Sequence, residues 1–294
     1  MDTGRFYIDG HDAYGEYRVF LAEGSAASLL AYPPLKKVDS TDWPEEDGVE
    51  VDLTAPRLDT RNVSLNFVSH DAGGQSGDFG RFISALSDRG YHTFRFPSLG
   101  DREYKLRLAS QGSMEHWRRA DVFTLQFADD FPPCCGEDYR RPVTDSSVTP
   151  CRDYSLDGRP FTDYGVRVLE GSLAEVLKSP QVKQRLLING NGENGAWYDG
   201  GQVTYRSKDV RLGCLMRAKD FAEFWKSHEA LLYDLTRPRE RELHVEYTAQ
   251  DYPCHYKGCA SKVFAFTGGR IWWEFALTLT FISFRATWSK VKGR

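Results

Sequence analysis

Ile8-Asp9-Gly10 and Glu23-Gly24-Ser25 stand near the start of the chain, and Leu156-Asp157-Gly158 and Glu170-Gly171-Ser172 repeat them in its middle. The glycines of the two Glu-Gly-Ser motifs lie 147 residues apart, and a tyrosine precedes each glycine by seven residues. Motifs that return in the same order at one spacing predict two copies of one unit within the chain. The alternative is a pair of unrelated β-rich domains with similar turn chemistry.

The same spacing continues beyond these turns. Residues 61–65 match residues 208–212, again 147 residues apart, and Phe79 and Phe82 match two phenylalanines 142 residues later. The few changes in spacing indicate short insertions between the copies and support a duplication.

The chain has 294 residues, about twice the common size of one domain. We predict a first domain over residues 1–131, a linker over residues 132–153 and a second domain over residues 154–294. The proposed linker is polar and separates the two sets of repeated motifs.

Each copy is predicted to contain several strands and one amphipathic helix. Asp220-x-x-Glu223 is a capping box, and Phe221, Phe224 and Trp225 begin an apolar stripe at helical spacing. Apolar residues alternate with polar ones before and after this helix, as they do in strands. The predicted fold class is therefore mainly β with α (α+β): two tandem antiparallel β-sandwich or barrel domains, each with a packed amphipathic helix.

The composition is that of a globular protein, with 40% hydrophobic and 27% charged residues. It excludes wholesale disorder, collagen and coiled coil. No apolar run reaches the roughly 18 residues that a membrane span needs. The first residues show neither a basic start nor an apolar core, so we expect no signal peptide.

The two halves of the chain differ in charge. Residues 1–150 carry 25 acidic and 16 basic residues, whereas residues 151–294 carry 17 and 22, which gives net charges of −9 and +5. Such asymmetry bears on association rather than on fold.

Sequence motifs of common enzymes are missing. The chain has no His-Glu-x-x-His, no Gly-x-Ser-x-Gly and no Gly-x-x-x-x-Gly-Lys-Ser/Thr. Its seven histidines are scattered, with no pair at helical metal spacing. We predict that the protein is not an enzyme and has no cofactor and no metal site. An enzyme of an unrecognised class is the alternative.

The six cysteines divide among the predicted linker, the loop before the last hairpin and one strand: Cys134, Cys135 and Cys151, then Cys254 and Cys259, and Cys214. Their spacings match no standard zinc finger, and nothing indicates an oxidising compartment. Free thiols are therefore expected. A zinc site that joins linker and loop, and a disulfide, are the alternatives.

A duplicated β-sandwich-plus-helix unit without a catalytic motif resembles the tail-tube fold of bacteriophage tails, and within it the distal tail and baseplate-hub proteins. The resemblance covers residues 5–130 and 152–284. It rests on element order, on the duplication and on a long final hairpin. It implies a structural component of a phage or phage-derived tail, whose tube-like domains form a ring that continues the hexameric tail tube.

The resemblance also implies location and partners. The protein would be assembled in the host cytoplasm and reside in the virion tail. Its partners would be copies of itself, the tail tube and other tail-tip proteins. DNA would pass through the lumen without specific binding, and no membrane partner is expected.

The last hairpin is predicted to form an interface. Residues 262–267 and 270–284 form its strands, and the second strand is about twice the usual length. Because so long a strand exceeds what one small barrel covers, a neighbouring subunit should cover part of its apolar face. The interface candidates are Arg270, Trp272, Trp273 and Phe284.

Two tube-like domains per chain need three chains to supply six units. We therefore expect a trimer with pseudo-sixfold symmetry, in which acidic and basic halves alternate and attract each other. A hexamer of whole chains is the alternative. The alternative function is a β-sandwich binding module for carbohydrate or a cell-surface ligand, in which some of the seven Trp and 15 Tyr form exposed stacking platforms.

Overall fold

The computed structural model describes residues 4–70, 77–117, 120–132, 140–185, 187–192, 194–198, 201 and 203–283, with residues 77 and 78 as backbone alone. In these ranges strands dominate over helices. No helix among the described residues is both long and apolar enough to span a bilayer.

The first half folds into a sheet with short helical segments. Its strands are β1 (Tyr7–Ile8), β2 (His11–Asp12), β3 (Val19–Leu21), β4 (Ser40–Thr41), β5 (Glu50–Val51), β6 (Arg61–His70), β7 (His92–Phe96), β8 (Arg102–Trp117) and β9 (Ala120–Asp129). Its helices are α1 (Ala13–Tyr17) and α2 (Gly77–Ser87), and its 3₁₀ helices are η1 (Ser25–Leu30) and η2 (Pro97–Leu99).

The second half has a similar order of elements. Its strands are β10 (Tyr154–Leu156), β11 (Arg159–Pro160), β12 (Val166–Val168), β13 (Leu187–Ile188), β14 (Trp197–Tyr198), β15 (Lys208–Ala218), β16 (Arg241–Val245), β17 (Gln250–Thr267) and β18 (Arg270–Phe281). Its helices are α3 (Ser172–Leu177) and α4 (Phe221–Thr236), and its 3₁₀ helix is η3 (Phe161–Tyr164).

The two large sheets have the same strand order. The first runs β2-β1-β7-β8-β9-β6-β3 and the second β11-β10-β16-β17-β18-β15-β12, all antiparallel. Each strand of one sheet has its counterpart at the same place in the other, which confirms the shared order expected from the 147-residue spacing. Both sheets are open within the described ranges, so the β-sandwich form of the predicted α+β fold is confirmed and the barrel form is not. The domain boundaries stay a prediction.

The repeated Asp-Gly pairs form equivalent turns. Asp9 and Gly10 have φ of 50° and 87°, and Asp157 and Gly158 have φ of 50° and 76°, the left-handed values of a two-residue hairpin turn. Each aspartate also accepts a hydrogen bond, at 2.9 Å, from the backbone N–H of the next sheet neighbour: Thr93 in the first half and Glu242 in the second.

The repeated Glu-Gly-Ser motif attaches a short helix to the sheet. Ser25 Oγ accepts from Asn66 N–H at 2.7 Å, and Ser172 Oγ accepts from Gly213 N–H at 3.0 Å. Ser172 lies 147 residues after Ser25, and Gly213 lies 147 residues after Asn66. The Ser172 hydroxyl bonds to the sheet and does not cap its own helix, whose N-cap is Gly171.

A third equivalent contact closes the other end of these short helices. Arg61 Nη1 donates to the carbonyls of Leu29 and Ala31 at 2.6 and 2.8 Å. Lys208, 147 residues later, donates to the carbonyls of Val176 and Lys178, both at 2.5 Å. A basic side chain at the start of a long strand therefore satisfies the free carbonyls at the end of the helix in both halves.

The longest helix of each half packs on its large sheet. Phe82 of α2 contacts Phe67 across 5.6 Å between ring centroids, and Phe224 of α4 contacts Trp273 across 6.1 Å. The Asp220 cap of α4 is confirmed, since its carboxylate accepts from Glu223 N–H at 2.8 Å. A single cluster of buried apolar residues runs through both halves.

The described part of the predicted linker lies against the second half. Ser147 N–H donates to Glu223 Oε1 at 2.8 Å, and Arg141 Nε donates to Asp234 at 2.6 Å. Val148 is buried. Residues 140–153 therefore lie against the second half, with Arg141 and Ser147 on α4, rather than being a free connection.

Candidate assembly interface

The two halves contact each other through different surfaces. The first half contributes residues 29–35, which include the end of η1, and residues 97–102, at the turn between β7 and β8. We call these two segments together the corner face. The second half contributes α4 and residues 256–259 of β17, which we call the helix face. Because the halves share one fold but present different faces, the contact is heterologous.

Backbone carbonyls of the corner face bind side chains of α4. His228 Nε2 lies 2.9 Å from Leu30 O, and Trp225 Nε1 donates to Leu99 O at 3.0 Å. Burial lowers the pKa of His228 to about 3, so the ring is neutral at pH 7 and donates from Nε2. These bonds fix the direction in which α4 lies across the first half.

Arg102 and Gly100 complete the turn of the corner face. The Arg102 guanidinium lies 4.1 Å from the centre of the Trp225 ring and forms an ion pair with Glu229 at 2.7 Å. Gly100 has φ of 75°, and a Cβ there would lie 2.9 Å from the Phe221 ring. The close approach of α4 therefore requires glycine at this position.

Tyr32 enters the core of the second half. Its ring is 1% exposed and lies 5.6 Å from Trp273 and 6.3 Å from Phe275, between centroids. Its hydroxyl donates to His228 O at 3.0 Å. Tyr32 is thus an aromatic anchor between the halves.

The segment after Tyr32 follows β17. Tyr256 OH donates to Pro33 O at 2.9 Å, and Leu35 N–H donates to Lys257 O at 3.1 Å. The segment covers β17 at a bulge, where the pairing with β18 shifts between Tyr256 and Gly258.

A loop between β4 and β5 adds a second contact between the halves. Lys183 Nζ donates to the carbonyls of Trp43 and Gly48 at 2.7 and 2.6 Å and pairs with Asp42. Gly48 has φ of 77°, and a Cβ there would overlap the carbonyl oxygen of Ile282. The two halves are therefore joined along an extended surface.

A cavity of about 200 Å³ lies at this junction. Arg61 Nε, Tyr104 OH and His228 Nδ1 lie at or near it, and each is buried without a hydrogen-bond partner among the described residues. Burial also raises the pKa of Tyr104 to about 12. Among the described residues that line the cavity, no nucleophile is paired with a base.

Chemically reactive groups are sparse in the described ranges. No group of three or more His, Cys, Asp or Glu side chains there is arranged to hold a metal ion. Cys151, Cys214, Cys254 and Cys259 are free thiols, and burial raises the pKa of Cys254 and Cys259 to about 12. Cys134 and Cys135 lie outside the described residues.

The predicted interface residues occupy different environments. Trp273 is fully buried in the second half, where it stacks on Phe275 at 4.0 Å and donates to Ser261 Oγ, so its side chain offers no surface to a partner. Trp272 lies half-buried on the opposite face of the sheet, near Arg217. Arg270 is exposed, and Phe284 lies outside the described residues. An interface role for these last three stays a prediction.

Exposed apolar residues were missed by the sequence reasoning. Met114 and Trp117 are 44% and 61% exposed near the end of β8, and Val263 and Phe266 are 54% and 61% exposed near the end of β17. Both pairs lie near the ends of equivalent strands but not at equivalent positions, since Met114 lies opposite Phe123 whereas Val263 lies opposite Glu274. The spacing of the repeat therefore does not identify these exposed residues.

No protein-family model and no curated protein matches the chain. Among solved structures the chain is similar to the Dit protein (gp 19.1) of phage SPP1, described as a paradigm of the hub adsorption apparatus in phages that infect Gram-positive bacteria. The TM-score is 0.31 at 11% identity, over 94% of this chain and 98% of that chain.

The chain is also similar to the PlzA protein of Borreliella burgdorferi, solved in complex with c-di-GMP. The TM-score is 0.16 at 10% identity, over 92% of this chain and 89% of that chain. At TM-scores this low neither similarity carries an argument about fold or function.

Proposed function

We propose that the protein is a structural component of a phage or phage-derived tail, where it forms a ring at the distal tail or hub that continues the tail tube. The observation that carries this proposal is the heterologous contact between two units of one fold within the chain. In a heterologous contact each unit uses a different face, so one contact face of each unit stays unoccupied. Further units can add to these faces, and the chain of units closes into a ring when the rotation between neighbours adds up to a full turn.

The charge of the two halves supports a ring in which they alternate. Net charges of −9 and +5 favour contacts between unlike halves and disfavour contacts between like ones. We propose a trimer with pseudo-sixfold symmetry, with a hexamer as the alternative, together with tail-tube and tail-tip partners. No enzyme activity is part of this proposal.

The sheet faces that point away from α2 and α4 fit the lining of a lumen. On the first sheet, Thr124 Oγ1 donates to Asn66 and Gln126 Nε2 donates to Ser64. On the second sheet, Lys262 pairs with Glu274 at 2.8 Å. Surfaces satisfied by neutral or balanced polar groups would let DNA pass without specific binding.

Size-exclusion chromatography with light scattering, followed by electron microscopy, tests the proposal. We expect a ring with threefold symmetry and six similar positions, and its formation should weaken as salt screens the unlike halves. A stable monomer at high concentration and low salt, with no assembly on a tail tube, would refute it.

A β-sandwich binding module for carbohydrate or a cell-surface ligand is the second candidate. The observation in its favour is the small β13–β14 sheet, where Trp197 is 74% exposed and Leu187 is 59% exposed. Binding of glycans by the monomer, lost on Trp197→Ala, would favour this function over the tail ring.

A further inference from the structure

The contact within the chain uses only one of the two faces that each half possesses. By the repeat, the corner face of the second half consists of residues 176–182 and the turn 246–250. The helix face of the first half consists of α2 and residues 108–111 of β8. The hydrogen bonds and ring contacts described above between the halves involve neither surface.

Backbone geometry shows that these surfaces are equivalent to the ones in use. Leu35 forms an isolated bridge with Leu58, and Val182 forms one with Tyr205, both 147 residues later. The bulge of β17 between Tyr256 and Gly258 returns in β8 between residues 108 and 110. The isolated bridge and the strand bulge that take part in the contact therefore occur in both halves.

The second corner face exposes apolar residues whose counterparts are covered. Leu30 is fully buried, but Leu177, its counterpart, is 46% exposed. Leu35 is half-buried against the common core, but its counterpart Val182 is 48% exposed. Tyr247 in the nearby turn is 71% exposed.

The first helix face is open in the same way. Ser110 and Gln111 of β8 are exposed, whereas their counterparts in β17 are half-buried beneath the corner face. Beyond Leu106, the described part of β8 is paired only with β9, so its other edge is unpaired. An unpaired edge of this kind accepts a further segment of chain.

One difference separates the two contacts. The position of the anchor Tyr32 is taken by Ser179 in the second half, 147 residues later, and Ser179 is exposed. A contact without the aromatic anchor buries less apolar surface. The second contact should therefore be weaker than the first.

We propose that the second corner face of one copy, with Leu177 and Val182, packs on α2 and on residues 108–111 of a second copy of this chain. This inference rests on the proposed ring and names the surfaces that join its subunits. It places the basic half of one chain against the acidic half of the next.

A cysteine cross-link tests the register. Within the chain, Leu35 N–H donates to Lys257 O. The equivalent contact between two chains would join Val182 of one copy to Ala109 of the other, and Ala109 is exposed. We expect V182C/A109C to give dimers and a closed trimer or hexamer on a non-reducing gel after treatment with a short bis-maleimide. V182C alone, A109C alone and V143C/A109C are the controls, since Val143 is 83% exposed and lies outside the proposed contact.

A second measurement does not depend on cross-linking. Leu177→Ser with Val182→Ser should weaken self-association at least tenfold by light scattering, whereas Val143→Ser should leave it unchanged. Both sites are exposed, so the monomer should keep its circular dichroism. If the double serine variant assembles normally and the cysteine pair gives no cross-link, the proposed contact is wrong, although the proposed ring still stands. Absence of any assembly in the unaltered protein would overturn both.

Discussion

Replacement of Tyr32 by alanine measures how firmly the halves are joined. The side chain belongs to the first half, yet it is 1% exposed among His228, Trp273 and Phe275 of the second. Truncation of a buried aromatic side chain to alanine costs about 3–5 kcal/mol. Tyr32→Phe keeps the ring and removes only the 3.0 Å bond to His228 O, which costs about 1 kcal/mol.

Urea unfolding followed by circular dichroism gives both free energies. Tyr247→Ala is the matched control, because that ring is 71% exposed and its loss should change the free energy of unfolding by no more than about 0.5 kcal/mol. A loss below about 1 kcal/mol for Tyr32→Ala would show that the ring does not hold the halves together, and the anchoring role would have to be abandoned.

Three further substitutions address burial, backbone and pH. Arg61→Met strands the buried Asp129 carboxylate and should cost about 3–5 kcal/mol in urea unfolding, against almost nothing for the exposed Arg57→Met; equal costs would contradict this. Gly48→Ala should lower the Tm far more than Gly24→Ala, since both have positive φ but only the Cβ at position 48 meets backbone; equal shifts would refute the argument. Because the pKa of His228 is about 3 in the folded chain and ordinarily 6.5, the unfolded chain binds the extra proton between these values, so the free energy of unfolding should fall as pH is lowered from 6.5 towards 3. His228→Gln should reduce that slope, measured at pH 4.5 and 7.5, and an unchanged slope would argue against it.

Local chemistry made much of the fold predictable from the sequence. The Asp-Gly turns need positive φ at two consecutive residues, and few residue pairs permit this, so their repetition marked equivalent places. The Asp220 cap and the apolar stripe of α4 could also be predicted, because both are set by residues a few positions apart. Each of these features depends on neighbours within a few residues along the chain.

Features that depend on distant neighbours could not be predicted in this way. Alternation along β17 fails as a guide because of the register shift between Ser261 and Val263, which changes the face on which later side chains lie. Phe266 lies opposite the buried Ile271, on the face that α4 covers, yet it is 61% exposed near the end of the hairpin. The burial of Trp273 could not be predicted either, since the length of β18 did not reveal that α4 covers this residue.

The exchange of Tyr32 for Ser179 has a consequence for the order of events during maturation. If the two contacts were equally strong, a newly made first half would associate with the second half of another molecule as readily as with its own. Such exchange leads to domain-swapped aggregates. An aromatic anchor in only one of the two contacts makes each chain close on itself before it meets a neighbour. Polymer growth would then begin from finished, uniform subunits.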